Sequence, residues 1–426
     1  MLITVIMITL LSEAVVTNLT TPHVQIEDPQ FYLDNPWPTF RWMRENDPFY
    51  YYESLDTFVV TRHADIREIV NHPHVFVSSR GIFLNDWKYA GQQAGDETLT
   101  DSFFPKGGEQ VGTADLPRHT DLRRVIAPAF SPRAIGRIAE SLALEVAEMV
   151  EGIEPGAVTD WLPFASLVPI RAATKLIGLP DTDIDRVQFW SDELEKLGGD
   201  LTLEELQAAA REFQSLQQFI IENIEVRRRN PGTDDLLTVL LNAELDNDKV
   251  SEANVVMYAM TMMAAGGDTT RSLLAGIIYH LAQHPAQWEL LRGDRTIIPR
   301  AIEEALRYVT PARAFGRTAV QDITVNGQEI KAGQRVYLMY MAANRDEEVF
   351  PDAEKFDITR KESAQQLALS GGAHICAGAR LVRSEAAIVL NALLDRFARV
   401  ELAGEAVPVV HVIRNGWSTM PVKFHI

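Results

Sequence analysis

Gly371-Gly372-Ala373-His374-Ile375-Cys376-Ala377-Gly378-Ala379-Arg380-Leu381-Val382-Arg383 holds the one cysteine among 426 residues. Its small residues form a loop that delivers the sulfur to the start of a helix, because Leu381 to Arg396 has continuous helical character. Backbone amides at a helix N-terminus favour a thiolate over a thiol. Gly372 and Gly378 remove side chains on either side of that sulfur, as a flat cofactor pressed on the backbone requires. Such a site suits a thiolate ligating one face of a haem iron. The competing reading is an inert buried cysteine in a glycine-rich turn, the ordinary role of a lone thiol.

Outward from this loop, composition narrows the class. The chain is 46% hydrophobic and 23% charged, the values of an ordinary globule. A net charge of −19 argues against nucleic acid or an anionic membrane as the main partner. Arg227-Arg228-Arg229 reads as the solvated end of a long helix. One cysteine rules out an intrachain disulfide framework and fits a reducing, cytoplasmic compartment. Leu2 to Leu11 is nearly all apolar, but about twenty residues are needed to span a bilayer and Glu13 ends the run. Stable membrane insertion is therefore not expected, and residues 1–34 are expected to be poorly ordered or irregular.

No linker, repeat or low-complexity run divides residues 35–426, which read as one helix-rich unit with small sheets. A short helix is predicted over Pro36–Glu45, strands over Phe49–Glu53 and Thr57–Arg62, and a helix over Ala64–Asn71. Gly81 to Gly112 is a long irregular passage holding Phe83, Trp87, Phe103 and Phe104, of the length that often serves as a binding loop. From Pro117 to about Ala282 nearly everything looks helical. The longest helix runs from about Ser251 to His284, roughly 50 Å at about 1.5 Å per residue. Short strands are predicted at Thr318–Val320 and Val336–Met339, and a closing strand pair around Val409–Val412 and Pro421–Ile426.

That long helix contains Ala264-Ala265-Gly266-Gly267-Asp268-Thr269-Thr270. Each interior glycine costs on the order of 1 kcal/mol relative to alanine, so the pair needs a reason. Close approach of a flat ligand, or a local opening of the helix, supplies one; packing through small residues is the bland alternative. Asp268 and Thr269 add an acid and an alcohol, a proton source and a hydroxyl able to bond dioxygen. Further along, Glu304-x-x-Arg307 is by itself an ordinary i,i+3 ion pair.

Together these segments resemble the cytochrome P-450 superfamily. The Cys376 loop is similar to its haem-ligand loop, with His two before, Gly two after and Arg seven after. The Gly266–Thr269 segment resembles its oxygen-activation motif, and Glu304/Arg307 its buried structural pair. The resemblance spans about residues 35–426. It departs at Leu369 and Ser370, where Phe and Gly are usual, and at Lys355, offered where a third arginine is expected.

What the resemblance implies is an α+β fold, mainly α, with haem b (iron protoporphyrin IX) between the central helix and the Cys-loop helix. Cys376 would be the iron ligand, with Gly372, Gly378, Ala265 and Gly266 against the haem. His119, Arg123, Arg317 and His374 would hold its propionates by charge-assisted hydrogen bonds. The implied activity is that of a monooxygenase inserting one oxygen atom from O2 into an apolar substrate of terpenoid, steroid, fatty-acyl or aromatic type. Asp268 and Thr269 would deliver protons. With no flavin- or ferredoxin-like segment recognised, electrons are expected from a separate ferredoxin and ferredoxin reductase, docking on Arg380 and Arg383, and the protein is expected to be a monomer. Met260, Thr261, Ala264, Phe103, Phe104, Ala312, Arg313, Phe315 and Trp417 are the candidate pocket walls, each with core packing as its alternative; a solvent-facing role is the alternative for Arg313. A haem-bound carrier or sensor would not need the Asp268–Thr269 pair, and a peroxide-driven oxygenase would be expected to replace it.

Overall fold

The computed structural model describes residues 22–88, 105–196, 203–231 and 234–426. Its axis is the helix Glu252–Gln283, opened by the Ser251 side chain accepting the Asn254 N–H and closed at His284 just before Pro285. Polar caps at such ends satisfy amides that have no intrahelical partner. From Asn254 to Leu281 most positions are buried, because other helices cover this one on several sides. The most extensive contact is with Trp161–Ile177, and Ile184–Lys196, Leu203–Arg229 and Ile298–Val309 add further faces. Close approach is explicit at Gly267, where a Cβ would come within 2.5 Å of Ser191 Oγ.

A five-stranded sheet stands apart from the helical core, in the order Phe49–Tyr52, Thr57–Val60, Arg335–Leu338, Phe315–Ala319, Phe76–Val77. Only the Thr57–Val60 and Arg335–Leu338 pair is parallel. The sheet brings the chain after Val309 back beside the N-terminal part. From there Tyr340–Ala343 and a long meander lead to the cysteine loop and the helix Ala379–Arg396.

Three expectations change. Residues 24–34 are part of the folded body: Val24 and Ile26 are buried, and Pro29–Leu33 is a helix capped by Asp28. Val409–Val412 does not pair with the last strand; Pro421–His425 pairs with Arg399–Leu402, and Val407–Pro408 with Trp417–Thr419. The central helix is also unbroken through Gly266 and Gly267, with no local opening. Among the described residues no helix is long and apolar enough to cross a membrane.

Candidate active site

The loop Gly371–Gly378 sits against the end of the helix His63–Val70. Gly372 has φ +59, and a Cβ there would lie 2.0 Å from the Val70 carbonyl oxygen. Its glycine is therefore demanded by protein backbone, which corrects the expectation that a cofactor demands it. Gly378 caps the helix Ala379–Arg396, and a Cβ on it would sit 3.9 Å from Cys376 Sγ. The Cys376 amide donates to the Leu369 carbonyl at 3.0 Å, which turns the loop back on itself. Cys376 is accessible yet closely surrounded by protein. That crowding pushes its thiol up, while the Gly378 amide, Arg123 and Arg383 pull the other way. The amide effect expected from the sequence is present but smaller than desolvation.

Four basic side chains gather beside this loop. Arg123 donates to the Ile375 carbonyl at 2.7 Å, tying the helix Arg118–Ile126 to the residue before the cysteine. The His119 and His374 rings lie 4.3 Å apart, and His374 Nε2 is 3.3 Å from Ser78 Oγ. Arg317, on the strand Phe315–Ala319, is buried, and one of its amino groups donates to the Gly316 carbonyl at 2.6 Å. Burial, then Arg317 and the neighbouring His119, push His374 down to about 3; burial, Arg123 and Arg317 lower His119. Asp115 is the acid that opposes these shifts. Depressed histidines beside arginines mark a site whose positive charge calls for an anion.

The central helix carries the second half. Ala265 is the one exposed residue between 253 and 282, and a Cβ on Gly266 meets nothing within 4 Å. The two glycines thus have different reasons: Gly267 packs on Ser191, and Gly266 faces open space. Thr269 Oγ1 donates to the Ala265 carbonyl at 2.9 Å. Asp268 is buried and turned away, paired with Arg271 one turn on and with Arg414 of the C-terminal loop at 3.3 Å. Arg271 also reaches Asp192 at 3.5 Å and Ser166 at 3.4 Å. Burial pushes Asp268 up to about 7; Arg271 opposes this and Asp192 adds to it.

An accessible thiol, a small-residue stripe on a buried helix and a basic cluster fit a flat, dianionic haem. The comparisons agree. The family profile described as Cytochrome P450 matches residues 199–411. Cyclomarin C epoxidase CymV of Salinispora arenicola (strain CNS-205) is 33% identical over 389 residues, covering 89% of this chain and 94% of that protein. The chain belongs to the cytochrome P450 family. It is an oxidoreductase of the monooxygenase type, and haem is the prosthetic group of its family. Steroid C26-monooxygenase of Mycolicibacterium smegmatis (strain ATCC 700084 / mc(2)155) is 31% identical over 361 residues, 84% of this chain and 81% of that protein. Cytochrome P450-153 from Novosphingobium aromaticivorans superposes with a TM-score of 0.83 at 27% identity, over 94% of this chain and 99% of that one.

The P450 structural pair is realised at Glu304 and Arg307, both fully buried and joined by two 2.7 Å hydrogen bonds. Its third member is Arg360, whose Nε lies 3.3 Å from Glu304 Oε1. Lys355 contributes only its carbonyl, which accepts from Arg307 and Arg360, while its side chain is exposed. In the sequence this arginine stands in Phe356-x-x-x-Arg360, five residues beyond Lys355. Arg271, Asp192 and Arg414 also join the site; Arg271 is readable as the i,i+3 partner of Asp268, whereas Arg414 arrives from 146 residues away through tertiary packing.

Several pocket candidates of this P450 lie elsewhere. The Arg313 guanidinium is buried over the Tyr32 ring, 4.6 Å from its centroid, and donates to the carbonyls of His411 and Arg414. It anchors the C-terminal loop and faces neither pocket nor solvent. Trp417 packs on Tyr279, ring centroids 4.6 Å apart, about 15 Å along the helix from Thr269. Met260 is core. Thr261 and Ala264 are half-buried on the helix, Ala312 bridges to Arg414, and Phe315 is half-buried against Phe83, ring centroids 5.8 Å apart. Phe103 and Phe104 lie outside the described residues. Arg380 is exposed, but Arg383 is engaged by Glu303 at 2.5 and 3.0 Å.

Proposed function

We propose that Cys376 holds the haem iron and that the protein oxygenates an apolar small molecule at the Ala265–Thr269 face of the central helix. The observation that carries this reading is the clustering of His119, Arg123, Arg317 and His374 around the loop of the one cysteine. Haem b, when bound, supplies the oxygen-activating redox chemistry. His119, Arg123, Arg317 and His374 would hold its two carboxylates. Ala265, exposed, and Gly266, facing open space, would leave room for the ring against this helix.

Burial raises the Asp268 pKa toward neutrality, so its carboxyl can release and regain a proton. Thr269, one residue on, offers a hydroxyl now held by the Ala265 carbonyl, and it can exchange that bond for one toward the reacting oxygen. Half-buried Ala264 and Thr261 on this helix, with half-buried Phe315, would make a mostly apolar wall. That wall suits a steroid, terpenoid, fatty-acyl or aromatic substrate, and the steroid monooxygenase among the relatives supports this class. Electrons come from a separate ferredoxin and its reductase in the cytoplasm. Arg380 supports this docking as an exposed cation on the cysteine-side helix of an acidic protein.

The test is spectroscopic. Reduced, carbon monoxide-treated protein should show the strongly red-shifted Soret band of thiolate ligation, and Cys376→Ser should lose it. Persistence of the band in that variant refutes the assignment.

A further inference from the structure

Two residues of this chain that are neither Gly, Asn nor Asp have positive φ among the described residues: Thr310 at 47° and Ser370 at 60°. Such backbone is costly for ordinary side chains and persists where surroundings enforce it. Both are enforced by one short element, the helix Tyr340–Ala343 and its cap Asn344. Asn344 Nδ2 donates to Thr310 Oγ1 at 2.8 Å, and its Oδ1 accepts the Leu367 N–H at 2.8 Å. The Tyr340 hydroxyl lies 2.9 Å from Ser370 Oγ. Tyr340 is 1% exposed and Asn344 fully buried, so neither side chain can swing away into water. The segment leading to the cysteine is thus gripped at Leu367 and Ser370. Leu369 lies between those two points, and its carbonyl accepts the cysteine's own amide.

We propose that Tyr340 is a positioning residue for Cys376, acting through the Ser370 hydroxyl to hold the loop in the shape that presents the sulfur to the haem. The proposal rests on Cys376 being the iron ligand. Serine at a left-handed position needs a partner for its hydroxyl and a reason to stay, and the buried phenol provides both. Glycine would take the same φ without help. The grip therefore belongs to this sequence's Ser370 and is dispensable once that serine is gone.

The experiment compares Tyr340→Phe, Ser370→Gly and the double variant, all haem-loaded. Tyr340→Phe keeps the ring and removes one hydroxyl. Hydrogen exchange at the Cys376 amide should quicken about five-fold, the factor an ordinary hydrogen bond is worth. The share of the reduced carbon monoxide complex lacking the thiolate-type Soret band should grow with it. Exchange in the middle of the helix Glu252–Gln283 should not change, which separates positioning from general loss of stability. In the Ser370→Gly background, Tyr340→Phe should add nothing. Equal effects in both backgrounds, equal quickening in the central helix, or an unchanged Cys376 amide would each overturn the proposal. Failure of the ligand assignment itself would show separately, as a thiolate band that survives Cys376→Ser.

Discussion

Arg360 Nε lies 3.3 Å from Glu304 Oε1, and the same guanidinium reaches the carbonyls of Asp352 and Lys355 at 3.1 and 3.0 Å. Glu304 is fully buried and also accepts the Asp357 amide at 2.8 Å. One carboxylate therefore organises two arginines and the meander that precedes the cysteine loop.

Arg307 still pairs with Glu304 when Arg360 is removed, so what is lost is the Arg360 hydrogen bonds to Glu304 and to the buried meander carbonyls, about 1–3 kcal/mol. Arg360→Ala should lower stability by that order and reduce haem content. Lys355→Ala should stay within about 0.5 kcal/mol, as for an exposed side chain. Urea unfolding of the haem-loaded variants decides; equal costs would contradict the assignment of Arg360.

Proton supply should follow Asp268. Product formed per electron should fall as pH rises through about 7, because its carboxyl then spends less time protonated. Arg271 lowers this pKa and Asp192 raises it, so Arg271→Gln should move the inflection up and Asp192→Asn down. Asp268→Asn should turn over slowly with no inflection there. Thr269→Ala should bind substrate normally and divert electrons to hydrogen peroxide. A pH profile unmoved by all three charge changes would exclude Asp268 as the proton source.

Docking should separate the two arginines. Arg380→Glu should raise the apparent KM for ferredoxin, with substrate affinity unchanged and an effect that fades with salt, since exposed charges are screened over about 8–10 Å. Arg383→Glu should instead disturb the loop through Glu303, seen as loss of the thiolate-type Soret band. If stopped-flow reduction ignores both salt and Arg380→Glu, the partner binds another surface.

Glu385 is buried on the cysteine-side helix with Oε2 unpartnered, and burial pushes it up to about 8 from 4.5. Between those values the folded protein holds a proton that the unfolded chain has lost. Folding stability from this group therefore declines as pH rises, with a limiting slope of about 1.4 kcal/mol per unit. Glu385→Gln should flatten that decline, so its advantage over the parent should widen from pH 5 to pH 8. Denaturation midpoints at three pH values, showing no widening, would exclude a neutral buried Glu385.

Local patterns determined much of this protein. The Cys376 loop, the Gly266–Thr269 segment and Glu304/Arg307 are short-range spacings, and each is read from residues that are neighbours in the chain or on one helix face. Helix limits were legible for the same reason: Ser251 and Pro285 act on their own turn. Tertiary structure alone decided which glycine serves packing, because Gly267 meets Ser191 and Gly372 meets Val70, both distant in sequence. It also turned Arg313 inward, since a guanidinium is buried only where carbonyls from elsewhere converge on it. Likewise, Asp268 is an i,i+3 partner of Arg271 in sequence, but the upward shift of its pKa comes from burial in the packed core, with Asp192 adding to it. Desolvation is a property of the whole packed surroundings, and no local pattern encodes it.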